Sequence, residues 1–333
     1  MRFRHLWALG LLLILAVLAV IAGIGTGSFD FSYGEIWQAL WNPDFPNRMV
    51  IMDLRLPRAL LTLIVGAILS MTGFYMQALI KNPLADPYIM GVTAGAGFGV
   101  NLLILGLIPV VSYSIFTQPV FAGIGALVSL LFVTALGFRS FFEDNSKLLI
   151  AGVAVSAIFT AFTGLLIYMY ADSDQVRRLV FWTFGSFNRA NWEAVWVCLG
   201  LYITGLLFGL FYARKMDVLI MGDIQAATLG MQVSRIKLIL LTISSLIVGG
   251  AVAFTGPIGF VGMIIPHFCR TLFGINHRPN LILGSVLGGV FLVSCDVLGR
   301  WIHPPTGLPI GIITAIVGVP FFLYILFSKQ TYL

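Results

Sequence analysis

Eight stretches of this chain contain no Asp, Glu, Lys or Arg: residues 6–29, 59–80, 87–138, 148–171, 194–213, 238–269, 279–295 and 301–328. Each is near or above the ~20 residues that an α-helix needs to cross ~30 Å of hydrocarbon. Only 10% of the 333 residues are charged, against about 25% in an ordinary soluble domain. So few charges cannot clothe a globule of this size in water. The pattern requires an all-α integral membrane protein that crosses the bilayer many times, as one transmembrane domain over residues 1–333.

Two of the runs are too long for one crossing. Pro109 and Pro119 divide residues 87–138, and Gly256-Pro257 divides residues 238–269; a helix ends readily at such a step. That gives ten spans with both termini on one side. Charge bias supports the count. The N-terminal side then carries Arg2, Arg4, Lys81, Arg139, Lys147, Arg214, Lys215, Arg235, Lys237, Arg270, Arg278 and Lys329, which is 12 of the Lys and Arg residues, and the other side carries 7. If residues 238–269 crossed once, the split would be 10 against 9. Ten spans with cytoplasmic termini fit better, and the eighth is short unless it runs on to about Phe273. The first run follows Arg2, Arg4 and His5, but its apolar part exceeds the 7–15 residues of a signal peptide and no A-x-A site closes it, so it reads as a retained span.

A weak internal repeat appears at an offset of 183 residues, with Gly66, Gly73, Pro83 and Gly91 matching Gly249, Gly256, Pro266 and Gly274. It pairs the second span with the seventh, which run in opposite directions, and inverted repeats of this kind belong to transporters.

Chemistry-bearing clusters are scarce. Cys198, Cys269 and Cys295 lie in or at the edge of apolar runs, and neither they nor His5, His267, His277 and His303 show a ligand spacing. No metal site, catalytic group or cofactor site is expected. The basic residues form no stripe, which argues against nucleic acid. GAGFG (residues 95–99) sits in an apolar helix with no preceding strand, and no G-x-x-x-x-G-K-[ST] exists. ATP, if used, is bound by another subunit. The spans hold almost no mid-membrane charge, which counts against an ion-coupled secondary transporter, the main alternative.

The polar interruptions carry what remains. Residues 216–230, MDVLIMGDIQAATLG, read as one or two short helices closed by Gly230, either a plain connection or a docking surface for a soluble partner. Residues 28–53 contain an amphipathic piece with Phe31, Ile36, Trp37, Leu40 and Trp41, suited to an interfacial helix. Arg55 and Arg58, in RLPR, either snorkel to headgroups or form a positive socket for a partner's carboxylates. QALIKNPLADP (77–87) is an inner turn, read as a helix stop or as a constriction of a pathway. Residues 172–192 mix charge with aromatics and suggest a short outer helix. Asp296 and Arg300 form an i,i+4 ion pair.

Several of these blocks occur together and in order. RLPR (55–58), LIVGAILSMTG (63–73), QALIKNPLADP (77–87), IMGVTAGAGFG (89–99), FWTFGSF (181–187), AATLG (226–230), GPIGFVGMIIPHFCR (256–270) and LPIGIITAIVGVPFF (308–322) resemble the FecCD-type permeases. These are membrane subunits of ABC importers for iron-siderophores, haem, vitamin B12 and, in some members, molybdate. Cys269 and Met263 stand where that family usually has aliphatic residues.

The resemblance implies the vitamin B12 importer permease-like fold of a type II importer. It implies a homodimer in the bacterial inner membrane, with two cytoplasmic ATPase subunits, which bind ATP and Mg, and one periplasmic binding protein. It places ATPase coupling at Gly222, Asp223, Gln225, Ala226, Ala227, Leu229 and Gly230, within a cytoplasmic segment of about 216–231. Arg55, Arg58 and Arg300 match outer arginines that pair with the binding protein, beside periplasmic loops of about 28–57 and 171–192. Asn82, Asn145 and Ser146 match inner gate segments. The expected cargo is a metal chelate, iron-siderophore first, then haem, cobalamin or molybdate.

Overall fold

A computed structural model describes residues 3–27, 31–110, 114–137, 145–304 and 306–327. Arg2, Arg139 and Lys329 of the charge count lie outside them. The described chain is helical: α1 (Phe3–Gly25), α2 (Tyr33–Trp41), a π-helical turn (Val50–Arg55) running directly into α3 (Leu56–Ile80), a 3-10 turn (Pro87–Met90), α4 (Val92–Ile104), α5 (Thr117–Gly137), α6 (Asn145–Tyr170), α7 (Ser173–Thr183), α8 (Trp192–Ile220), α9 (Asp223–Thr228), α10 (Val233–Thr255), α11 (Val261–Phe273), α12 (His277–Ile302) and α13 (Ile310–Phe327). Among the described residues seven helices are long and apolar enough to span a membrane, and α4, α11 and most of α13 are shorter apolar helices. Together they account for the ten crossings, and α11 ends at Phe273.

Helix ends follow local chemistry. Ser32 and Glu35 form a capping box for α2, Asp172 and Gln175 form one for α7, and Asn191 caps α8. Each supplies a side-chain acceptor to an N–H that the helix leaves unpaired. α10 stops at Gly256, whose φ of 70° suits a residue without Cβ, and Pro257 follows. α2 keeps Ile36 and Ala39 buried while Trp37 and Trp41 point outward, as an interfacial helix should.

α3 is the axis of the bundle, buried along most of its length and packed by α1, α8, α10, α11 and α12. Lipid offers no hydrophobic drive for helices to associate, so close backbone approach has to supply the packing. Gly66 meets Gly288 of α12, Gly73 meets Gly262 of α11, and Gly95 of α4 meets Gly125 of α5. A methyl group on any of them would overlap a backbone carbonyl of the facing helix. The Ser70 hydroxyl adds a hydrogen bond to the Gly284 carbonyl at 2.8 Å.

Three boundaries differ from the sequence reading. α8 extends to Ile220, so Asp217 lies on its last turn and the non-helical part of the coupling stretch starts at Met221. Helix begins at Val50, which shortens the loop of residues 28–57 and places Arg55 in a helix. The repeat spacing also pairs unlike positions: Gly91 precedes α4, whereas Gly274 follows α11. What recurs is a long helix and then a 13-residue one, α3 with α4 and α10 with α11.

The two ends of α1 label the two faces of the bundle. At its N-terminal end Arg4 donates to the Leu272 carbonyl at 2.6 Å. At the other end the carbonyls of Gly23 and Ile24 meet Arg300 and Arg55.

Candidate functional site

On the N-terminal face, α9 sits between α8 and α10. Gly222, at φ 126°, makes the sharp entry and Gly230, at φ 80°, the exit; both values favour glycine. Ala226 is fully buried and pins the short helix to the bundle. Its other side is open: Ile224, Leu229 and the preceding Met221 are 82%, 68% and 65% exposed. Gln225 and Ala227 are exposed with them.

Asp223 fastens this helix to two others. Its Oδ2 accepts from Lys237 of α10 at 2.6 Å and pairs with Lys81 at 2.9 Å. Lys237 is 1% exposed. Lys81 ends α3 in the left-handed conformation, φ 57°, its N–H bonded to the Gln77 carbonyl. The next residue, Asn82, holds the following turn by accepting from the Leu84 N–H at 2.8 Å. One carboxylate therefore joins α9 to the end of α3 and the start of the NPLADP turn. Burial pushes the Asp223 carboxyl up, but hydrogen bonds and charge from Lys237 and Lys81 outweigh it and hold it below the ordinary carboxylate value. Nearby, Asp217 accepts from the His277 N–H at 2.9 Å, with His277 Nδ1 at 2.7 Å. The other expected gate residues, Asn145 and Ser146, open α6, and their side chains lie outside the described residues.

Inside the bundle two breaks in regular structure come together. The Tyr88 hydroxyl, in the turn before α4, accepts from the Ile258 N–H in the gap between α10 and α11, at 3.0 Å. Phe260 in that gap holds φ 71°, a strained value for a side chain with a Cβ. Non-helical backbone in a membrane bundle persists only where protein buries it or where it lines a cavity. Here it lines one of about 410 Å³, bounded by Tyr88, Thr93, Ser156, Thr183, Phe184 and Gly259 among others. Among the described residues no charged side chain lines this space, and the buried Thr93 hydroxyl has no hydrogen-bond partner. Sequence motifs missed these lining residues because their side chains carry no distinctive chemistry.

On the opposite face two of the three arginines expected to form a socket, Arg58 and Arg300, share one acid, Asp296. Arg58 makes a two-pronged contact with Asp296, Nη2 to Oδ1 at 2.7 Å and Nε to Oδ2 at 3.1 Å, and its Nη1 reaches Asn188 at 2.8 Å. Arg300 Nη2 also meets Asp296 Oδ2, at 2.9 Å, and Arg300 donates to the carbonyls of Gly23 and Thr26. Arg55 donates to the carbonyls of Ile24 and Gly25 and lies 4.5 Å over the Phe31 ring. Arg55 and Arg300 are buried, at 8% and 6% exposure, so their guanidinium groups turn inward here and clamp the end of α1. The Arg58 side chain keeps 18% exposure. The sequence marked the Asp296–Arg300 pair; the long-range Arg58 partner has no sequence signal.

The chain is similar to known proteins along nearly its whole length. The model of the FecCD transport family matches residues 12–328. The haemin transport system permease protein HmuU of Yersinia pestis is 35% identical over 326 residues, covering 97% of this chain and 96% of that one. The Fe(3+) dicitrate transport system permease protein FecD of Escherichia coli K12 is 34% identical over 318 residues, covering 94% and 98%. Among solved structures, an inward-facing conformation of a metal-chelate type ABC transporter superposes with a TM-score of 0.85 at 29% identity, covering 96% of this chain and 98% of that one.

Proposed function

This chain belongs to the FecCD transport family, and from that premise we propose that it forms the translocation pathway of an ABC importer for a metal chelate. The N-terminal face is cytoplasmic in this reading, as the charge bias requires. Two ATPase subunits dock there and a binding protein delivers cargo to the opposite face of the inner membrane. A second copy of the chain completes the pathway. The exposed apolar residues of α6 and α13, among them Phe162, Leu165, Ile316 and Val319, suit a twofold partner and lipid. Iron-siderophore is the first cargo to test, with haem and cobalamin next.

The observation that carries the proposal is the double character of α9. One side offers Met221, Ile224 and Leu229 to a soluble partner, and Asp223 on the other side ties the helix to the turn at Asn82. A partner that changes shape with nucleotide can shift this chain only through contacts that differ between its states. α9 is built to supply those contacts, and the uncharged cavity lets a bulky chelate pass without being gripped.

Replacing Ile224 and Leu229 together by Asp tests the reading. Both side chains are exposed, so the fold should persist. Co-purification of the ATPase subunits should fall by about tenfold or more, as expected when central apolar contacts of an interface are lost. Ala227→Trp should give the same loss by bulk. Unchanged ATPase recovery in both variants would remove the docking role from this segment.

A further inference from the structure

The face opposite α9 holds a second and larger cavity, of about 710 Å³. It lies where the ends of α4 and α10, the start of α5, α7 and the loop after α7 meet. Its charge is one-sided: Arg177 and Arg178 of α7 and Arg189 of the loop line it, and among the described residues no Asp or Glu does. Among the described residues the one acid that pairs with any of the three is Asp174, with Arg177 at 3.4 Å. Both of those side chains are more than 70% exposed, so water screens the pair and it holds little energy. Arg189 is held in place by Gln118 across the cavity. Arg178 forms no ion pair among the described residues. Phe181, Trp182 and Phe254 supply apolar wall.

We propose that this cavity is the receiving site of the pathway and that it selects metal chelates bearing free carboxylates. The inference rests on the importer reading above and names the substrate class. Three guanidinium groups around an aromatic wall match a ligand with anionic edges and an apolar body, because Arg presents paired donors to a carboxylate. The volume lies within the ~300–1,000 Å³ typical of small-molecule sites. The wall is also continuous with the inner cavity: Phe181 and Trp182 line the outer space, and the next two residues, Thr183 and Phe184, line the inner one. A chelate held by charge at the mouth would pass along α7 into a space without charge. It is then released from the arginines, so they need bind it only weakly. Acids of a docking protein are the competing use of these arginines, but a concave, aromatic-lined space favours a small ligand.

The test uses the full permease–ATPase complex in nanodiscs, without binding protein. The probes are iron-radiolabelled ferric dicitrate, which is anionic, and a neutral ferric trihydroxamate. Wild type should retain the dicitrate complex at least ~10-fold more tightly at low salt, a modest yield from charged hydrogen bonds. Salt should erode that preference. Arg177→Ala, Arg178→Ala and Arg189→Ala combined should abolish it, and the triple Lys variant should keep part of it, having charge without the fork. Equal retention of both probes by wild type overturns the proposal. So does a triple Ala variant that holds dicitrate normally, and if that variant also fails to capture binding protein added in a separate pull-down, the arginines are docking residues. ATP hydrolysis is read on the same samples. Hydrolysis kept with unchanged dicitrate retention sinks this inference alone, whereas a wild-type complex that, reconstituted in proteoliposomes with binding protein, never couples hydrolysis to uptake sinks the importer reading beneath it.

Discussion

Asp223→Ala should reduce ATP-driven uptake by at least tenfold while the ATPase subunits remain attached. The substitution leaves Lys237, 1% exposed, with no carboxylate at 2.6 Å to balance it. Removing one partner of a buried pair costs ~3–5 kcal/mol. The Lys81 arm, between side chains about a quarter exposed, contributes ~1 kcal/mol at most. The larger loss therefore falls between α9 and α10, and the Lys81 loss frees the end of α3 and the NPLADP turn. α9 would still present Ile224 and Leu229 to its partner but would no longer move the gate with it. Nucleotide hydrolysis continues and transport does not.

The double variant Asp223→Leu with Lys237→Met separates folding from coupling. It removes the buried charge together with its acid, so thermal stability should return, whereas uptake should stay low. Uptake at wild-type level in Asp223→Ala would show that the carboxylate transmits nothing. The pH dependence has a definite sign. A carboxyl held below its ordinary value contributes above its unfolded pKa of ~3.9 and loses that contribution only as pH falls through the lower folded value. Uptake between about pH 5.5 and 8 should therefore show no step from Asp223.

The second large effect is expected at Asp296. It is 4% exposed and serves both Arg58 and Arg300. Asp296→Ala leaves two guanidinium groups without their common counter-charge and should destabilise the fold by ~3–5 kcal/mol, read as a lower melting temperature in detergent. Asp296→Asn keeps an acceptor in place and should lie between the two. Arg55→Ala and Arg300→Ala should likewise act on stability, because each guanidinium holds carbonyls at the end of α1. Charge reversal at Arg58, the one arginine of the three with appreciable exposure, is the variant expected to weaken binding-protein docking. If Arg55 and Arg300 variants melt like wild type and lose the binding protein instead, the cluster is a docking socket after all.

The membrane architecture was legible because lipid imposes the same demand on every span. Charge-free runs, Pro109, Pro119 and the Gly256-Pro257 step gave the crossings, and even the short eighth helix ending at Phe273. The segment around α9 was legible as a polar interruption closed by Gly230. What stayed hidden was long-range. Asp223 sits beside Lys81 because the start of α9 meets the end of α3, and nothing local to either residue says so. The same holds for Arg58 with Asp296, 238 residues apart. Nothing in the sequence shows that Arg55 and Arg300, two of the three outer arginines, turn inward, since an apolar surround can hold Arg if carbonyls and one acid meet its donors. The cavity walls were hidden for the opposite reason: Thr93, Ser156 and Gly259 resemble every other small residue in a membrane helix. The repeat misled because glycine is so frequent here, 36 residues, that a matched spacing need not mark equivalent positions.

The central claim is that this chain is a conduit moved from its N-terminal face by a nucleotide-driven partner. Uptake of a radiolabelled ferric chelate into proteoliposomes tests it most directly, comparing the permease alone under a proton or sodium gradient with the permease plus ATPase subunits, binding protein and ATP. Accumulation only in the second case is the predicted result. Gradient-driven accumulation by the permease alone would contradict it.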